Sequence, residues 1–397
     1  MKQYWLFIIT ALQDIIFGAI DSTFANNINL DVIVVINSFL IVMYFCLRPM
    51  QLGFYAYQSM QSRPKNCLVC SVISGSVVGL IVIIFSDIMP YMFTLESQQR
   101  EALAEVFRLF GICAPLQAVT RYLQSYCAYI GKQRLVLISA FVTYIPMIIG
   151  DWIAVSLNSG AFGLRLSTEL CWVLYFIVLL PASGVLKTKD KVERKIVLHC
   201  FYVGKDVCIS QSIIRGATLF LTSTASTMGT ASYALHSVAL GITDMAECFR
   251  DATVDYSIIE LREHRDNLAE YSRVVIKKLF APALLLPLGL ECILVIVMHG
   301  KVDIMDAAIA TAIYSLPFLV YPIYDISAAS IRLSTVRSSA ITMSLITAVW
   351  RVGVLWILVQ IFGAVIPVFG MIYFLDYLSR TIFYRIMLYK EERVLAE

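Results

Sequence analysis

The fold class this sequence predicts is an all-α polytopic membrane protein, with twelve transmembrane helices in two parallel six-helix lobes. Three observations carry that prediction. Of the 397 residues, 59% are hydrophobic and only 15% charged, with a mean hydropathy of +0.78; an ordinary soluble domain carries about 25% charged residues. Apolar runs of about 20 residues, each able to cross roughly 30 Å of hydrocarbon as a helix, recur along the whole chain. The basic residues between those runs fall alternately on one side and the other.

Apolar length and helix breakers place the helices at about 4–25, 32–56, 66–90, 101–129, 134–157, 162–186, 197–225, 230–256, 272–299, 303–330, 336–363 and 366–389. Met1 to Thr10 lacks a small-residue cleavage site, so the first run reads as a retained helix and not a removable signal. One side of the membrane collects Arg63 and Lys65, Lys132 and Arg134, the Lys187 to Lys195 run, Arg262 to Lys278, Arg332 and Arg337, and Lys390 and Arg393. The other collects only Arg100, Arg165 and Lys301. The positive-inside rule then puts both termini in the cytoplasm, and the expected location is the plasma membrane, multi-pass.

The most hydrophilic break, KTKDKVERK at 187–195, divides the helices six and six. The expected organisation is an N-terminal lobe at 1–186, a cytoplasmic linker at 187–195 and a C-terminal lobe at 196–397. Sliding the chain on itself supports a repeat, since Pro115 to Arg134 falls beside Pro317 to Arg337, each beginning at a proline and ending at a short basic loop. An even number of spans between the halves makes the repeat parallel.

Several functional classes find no support. The ten cysteines are scattered singly except for Cys67-x-x-Cys70, and the four histidines show no ligand spacing. A nucleophile with a base, a nucleotide-binding loop and a metal cluster are all missing from the pattern, so no enzyme activity and no nucleic-acid partner are expected. What stands out is charge inside the apolar segments. Asp14 and Asp21 share one helical face of QDIIFGAIDSTFANNINLD, two turns apart. An aspartate at membrane depth costs roughly 2.5 to 3.5 kcal/mol and by default marks an ion or proton path. Asp14, nearer the helix end, is placed to snorkel. Arg48, Arg121, Arg215 and Arg351 also interrupt apolar runs and must face an interior or an interface. In the second half, Asp244, Glu247, Arg250, Asp251 and Asp255 have i,i+3 and i,i+4 spacings that suit a charge network or a gate. Asp325 has Arg332 as its nearest partner along the same helical face.

These patterns resemble the multidrug and toxic compound extrusion (MATE) transporters. Asp14, Phe17, Gly18 and Asp21 fall in the places of the family's N-x-x-Y-G-x-x-D pattern. Asp151 of IIGDWIAV sits at the Asp of an N-x-x-x-D pattern, and GLRLSTE (Gly163 to Glu169) is similar to the family's G-A-A-x-A-T, which brings Thr168 to a cation-site hydroxyl. The resemblance implies two lobes around a cavity and cation-driven export of small organic, cationic or amphiphilic compounds. Asp21, Asp151, Thr168 and Glu169 are then the coupling residues; the first three would hold Na⁺ if Na⁺ and not H⁺ is the coupling ion. Two carboxylates and a hydroxyl at one depth suit either ion.

The chain departs from the family at Met147, where an Asn ligand is expected, and at Ile214 and Arg215, where one branch is acidic. Arg215, Glu247, Arg250 and Asp325 are the candidates for a second-lobe site or gate. The expected partners are a small organic substrate and the lipid bilayer, with the protein a monomer and no cofactor beyond the coupling ion. The alternative function is flipping a lipid or lipid-linked oligosaccharide, for which Arg48, Arg121, Arg215 and Arg351 would supply a basic cavity.

Overall fold

A computed structural model of the chain describes residues 4–5, 8, 19–20, 22–60, 62–262, 264, 267–333 and 339–396. Among them the regular structure is helical throughout, with no strand. Seven described runs are long and apolar enough to cross a membrane: Leu30–Tyr57, Pro64–Phe85, Ser97–Cys127, Arg134–Ser156, Gly160–Lys187, Leu268–Met298 and Thr342–Phe362. The remaining apolar segments fall short because charges or breaks interrupt them. By contact, the chain groups into two compact units, residues 27–226 and residues 1–26 with 227–397. This grouping is a different partition of the chain from the six-and-six repeat, since residues 1–26 pack with the second set and the seventh long helix with the first.

The 27–226 unit holds α1 (Leu30–Met50), α2 (Leu52–Ser59), α3 (Pro64–Phe85), α4 (Ser97–Tyr129), α5 (Gln133–Ser156), α6 (Gly160–Ser183) and α7 (Arg194–Ala225). Asn29 opens α1, its side chain accepting from Val32 N at 2.8 Å, which satisfies one of the free amides of the first turn. Apolar helices gain little from burial among lipid tails, so they associate through close packing of small residues. The α3–α4 seam does so: a Cβ on Gly79 would meet the Gly111 carbonyl oxygen at 2.3 Å, and one on Gly75 would meet Ala118 Cβ at 2.7 Å. The opposite face of α3 leaves Val77, Leu80 and Ile84 exposed, as a lipid-facing surface requires. The hydrophilic linker is fastened to the start of α3. Lys65 N donates to Asp190 Oδ2 at 2.9 Å, Asn66 Nδ2 to the Lys191 carbonyl at 2.8 Å, and Glu193 N to Asn66 Oδ1 at 2.8 Å. Cys67 and Cys70 are buried free thiols, Cys67 lying 3.8 Å from Cys200, so the CxxC pair packs α3 against α7.

The second unit holds α8 (Thr230–Ala246), α9 (Cys248–Arg262), α10 (Leu268–Met298), α11 (Ile304–Tyr314), α12 (Tyr321–Leu333), α13 (Ser339–Ala348), α14 (Leu355–Phe362) and α15 (Ile366–Ala396). Three helices expected to be continuous are broken here. The eighth parts at Glu247. The tenth is interrupted by a 3₁₀ turn, Leu316–Leu319, because Pro317 and Pro322 cannot donate to the helix ladder. The eleventh passes through a wide π-type turn, Val349–Val354, that carries Arg351. Arg165 is a further difference: counted from sequence as an outer-loop residue, it lies buried inside α6.

The first segment joins this second unit at both ends. Tyr4 stacks edge-on against Tyr256 at 5.4 Å, and Tyr4 and Ile8 share a core with Phe249, Leu279, Ile326 and Leu388. At the far end, Asn26 Nδ2 donates to the Met298 carbonyl at 2.7 Å and the Asn26 carbonyl accepts from Lys301 N at 2.9 Å. Gly300 makes that approach possible, having φ +57° with the Asn26 carbonyl oxygen only 2.1 Å from where its Cβ would be. Gly300→Ala is therefore expected to destabilise the protein by about 1 to 3 kcal/mol. A lowered apparent Tm in detergent checks it; an unchanged Tm would contradict this docking.

Candidate functional site

Each unit contains a buried charge cluster. In the 27–226 unit it is built on α6, where Arg165 and Glu169 stand one helical turn apart on the same face and form an ion pair. Gln117 of α4 donates through Nε2 to both Glu169 oxygens, at 2.8 and 2.7 Å. The Arg165 guanidinium lies 4.6 Å over the Phe39 ring of α1. All three polar side chains are almost entirely buried. Two atoms in this cluster, Arg165 Nε and Gln117 Oε1, meet no hydrogen-bond partner among the described residues. Glu169 thus carries a charge already matched by Arg165 and oxygens already occupied by Gln117.

The other residues expected of a cation site have separate settings. Thr168 is buried and its hydroxyl donates to the Leu164 carbonyl at 3.1 Å, a bond within its own helix. Asp151 is fully buried on α5. That stretch of α5 lies tight against α6, because Gly150 leaves room for Ser167 Oγ at 2.3 Å from its missing Cβ, and Ser167 Oγ donates to the Met147 carbonyl at 3.3 Å. Asp151 and Thr168 therefore occupy adjoining levels of one helix pair, and Met147 contributes a backbone acceptor there in place of the expected amide side chain. Asp21 and Asp14 lie outside the described residues, so the expected set is not assembled in one view.

The second cluster is larger. Arg250 of α9 grips Asp325 of α12, with Nη2 to Oδ1 at 2.9 Å and Nε to Oδ2 at 3.2 Å. It pairs with Glu247 at 3.2 Å and donates to Tyr377 OH of α15 at 3.0 Å. Tyr321 OH donates to Glu247. The guanidinium also sits 3.8 Å over the Tyr321 ring and 4.7 Å over that of Tyr377. Next to it, Asp376 receives Arg351 Nε at 2.8 Å and Arg380 Nη2 at 2.9 Å. Arg380 lies 4.0 Å over the Tyr377 ring and donates to Tyr324 OH at 3.1 Å. Three arginines, three carboxylates and an aromatic lining thus tie α9, α12, α15 and the π-type turn together. In a low-dielectric interior such contacts reinforce one another and penalise any unmatched charge.

Asp325 pairs with Arg250; the side chains of Arg332, Asp251 and Asp255 lie outside the described set. Arg215 belongs to the 27–226 unit, 5.5 Å over the Tyr44 ring, and Glu247, Arg250 and Asp325 belong to the second unit. Of the four arginines proposed to make a basic cavity, Arg351 is neutralised by Asp376, while Arg48 bonds Gln51 at 3.3 Å and Arg121 lies 5.0 Å over Trp172. Asp376 and Arg380 are intramembrane charges to which the sequence assigns no role, although their i,i+4 spacing beside Tyr373 and Tyr377 is a readable signal.

No protein-family model matches the sequence, and no curated protein does. Solved structures do match in fold. An inward-facing multidrug resistance MATE family transporter of the MOP superfamily covers 97% of this chain and 95% of its own, at 16% identity and a TM-score of 0.75. An outward-facing conformation of such a transporter covers 100% of this chain and 96% of its own, at 14% identity and a TM-score of 0.74. The lipid II flippase MurJ, in an inward closed conformation, covers 97% of this chain and 87% of its own, at 13% identity and a TM-score of 0.69. The chain has the MATE fold.

A test separates a structural pair from an open ligand at Glu169. Removing one partner of a buried ion pair costs about 3 to 5 kcal/mol, whereas replacing both with apolar residues is often close to neutral. Glu169→Leu is expected to unfold at a clearly lower temperature than the wild type, and Arg165→Met with Glu169→Leu to recover most of the loss. Failure of the double variant to recover would remove the pairing role.

Proposed function

We propose that this chain is a secondary transporter that exports small organic, cationic or amphiphilic compounds by alternating access, in exchange for H⁺ or Na⁺. The observation that carries the reading is the likeness, over nearly the whole chain, to MATE transporters in both inward-facing and outward-facing states. The proposed layout is twelve spans in two six-helix lobes, 1–186 and 196–397, in the plasma membrane with cytoplasmic termini. It is supported by counting α1 with α2, α8 with α9, α11 with α12, and α13 with α14 as single broken spans beside the first segment and α3, α4, α5, α6, α7, α10 and α15.

In this reading Asp21, Asp151 and Thr168 are the residues that take the coupling ion, and Glu169 holds the shape of α6 through Arg165. A ligand moves an equilibrium between two states only by its differential affinity for them, so the acids must change environment between the states. The Arg250, Glu247 and Asp325 contacts suit a fastening that breaks and reforms, because they span separate helices and are charge-assisted.

Flipping of a lipid or lipid-linked oligosaccharide is the second reading. It is favoured by the fold likeness to a lipid II flippase and by Arg215, which has no ion-pair partner among the described residues. Transport by the purified protein in proteoliposomes, with H⁺ and Na⁺ gradients imposed separately, decides between them. The antiporter reading expects Asp21→Asn to reduce gradient-driven flux of a cationic dye by at least about 10-fold while leaving protein abundance unchanged, since an intramembrane carboxylate is the coupling group. Undiminished coupled flux in that variant would overturn it. Ion-independent movement of a labelled anionic lipid, lost in Arg215→Ala, would establish the flippase instead.

A further inference from the structure

One buried acid in the second unit differs from those of its charge cluster in what it faces. Glu291 of α10 is 4% exposed, and no basic side chain pairs with it among the described residues. Glu169, Glu247, Asp325 and Asp376, by contrast, each face an arginine. Among the described residues Glu291 Oε1 meets no hydrogen-bond partner, and Thr243 and Glu247 are the other polar groups near the carboxyl. Its other oxygen lies 2.6 Å from Ser315 Oγ, which is also 2.7 Å from the Thr311 carbonyl, and a hydroxyl has one proton to give. Thr311 Oγ1 is buried and likewise without a partner.

These three side chains form the polar floor of a cavity of about 590 Å³ between α10 and α11, within the range of small-molecule sites. Its walls are apolar, and the residues at its mouth, Ile296, Met305 and Leu319, are exposed on the lipid-facing side of the helices. Glu291 lies about two turns in from the helix end at Met298, roughly 10 Å, within reach of an amphiphile whose head is near the membrane interface.

We infer that this cavity is a lateral binding site for a single-chain amphiphile bearing a primary ammonium group, which enters from the bilayer. The apolar chain fills the groove. The ammonium, with three donors and no acceptor, supplies Glu291 Oε1 and Thr311 Oγ1 with the hydrogen bonds they lack and matches the buried charge. The site stands independently of the transport reading, because it needs only binding.

The test uses the full-length protein in phosphatidylcholine nanodiscs with spin-labelled long-chain probes of equal length, one an amine and one an alcohol. The protein-immobilised fraction is read by electron paramagnetic resonance. Wild type is expected to retain the amine about 10-fold more strongly than the alcohol, a gap of about 1.4 kcal/mol. Glu291→Gln, which keeps the shape, is expected to bring the two probes level, and Ala308→Trp, which fills the groove, to release both. Circular dichroism and thermal melting establish that each variant is folded. Equal retention of the two probes by wild type would overturn the proposal, as would an amine preference that survives Glu291→Gln.

Discussion

Pairing of arginine with carboxylate in a medium that solvates neither is the constraint on which both units depend. Either charge alone is costly at membrane depth, so the arginines and carboxylates of the two clusters are placed where a partner from the same or another helix can reach them. In the 27–226 unit the pair is local, one turn of α6, and Gln117 and Phe39 bring α4 and α1 to it. In the other unit the pairs are long-range. Arg250 spans α9 to α12, and Asp376 joins α15 to the π-type turn. Helix packing in lipid otherwise relies on small-residue seams such as Gly75 and Gly79 against α4. The ion pairs add register to that packing.

Breaks in the helices are what let these side chains meet. The 3₁₀ turn around Pro317 ends α11 and restarts the chain at Tyr321, so that Tyr321, Tyr324 and Asp325 all face Arg250. The parting of α8 from α9 at Glu247 puts a carboxylate next to Arg250 from the other side. The wide turn at Val349–Val354 carries Arg351 to Asp376. Segments of this kind expose backbone carbonyls and are tolerated at depth only where protein surrounds them. Their concentration in one unit distinguishes it from the more regular helices of the other, whose charged pair needs no such device.

The aromatic side chains do more than fill space around these charges. Tyrosines at 321, 324 and 377 offer a ring to a guanidinium and a hydroxyl to a charged group, so the cations are held by ring contacts as well as hydrogen bonds. Glu291 has no such aromatic and cationic shell among the described residues; its hydroxyl neighbours are Ser315, Thr311 and Thr243 at an apolar groove, which is why it reads as a place for a ligand and not as a fastening.

The helical membrane class, the apolar spans and the resemblance of the fold were legible in the sequence, because apolar length and loop charge are local properties that the bilayer reads directly. The i,i+3 pair of Glu247 with Arg250 was legible for the same reason, being fixed by the helical repeat. The pair of Asp325 with Arg250 was not, because the two stand 75 residues apart on different helices. The roles of Asp376 and Arg380, the inward course of Arg165 and the isolation of Glu291 likewise depend on which helices adjoin. Sequence by itself determined which residues must be buried and which charges must find company. Only tertiary structure decided who that company is, because pairing across helices follows from packing geometry, which no linear spacing encodes.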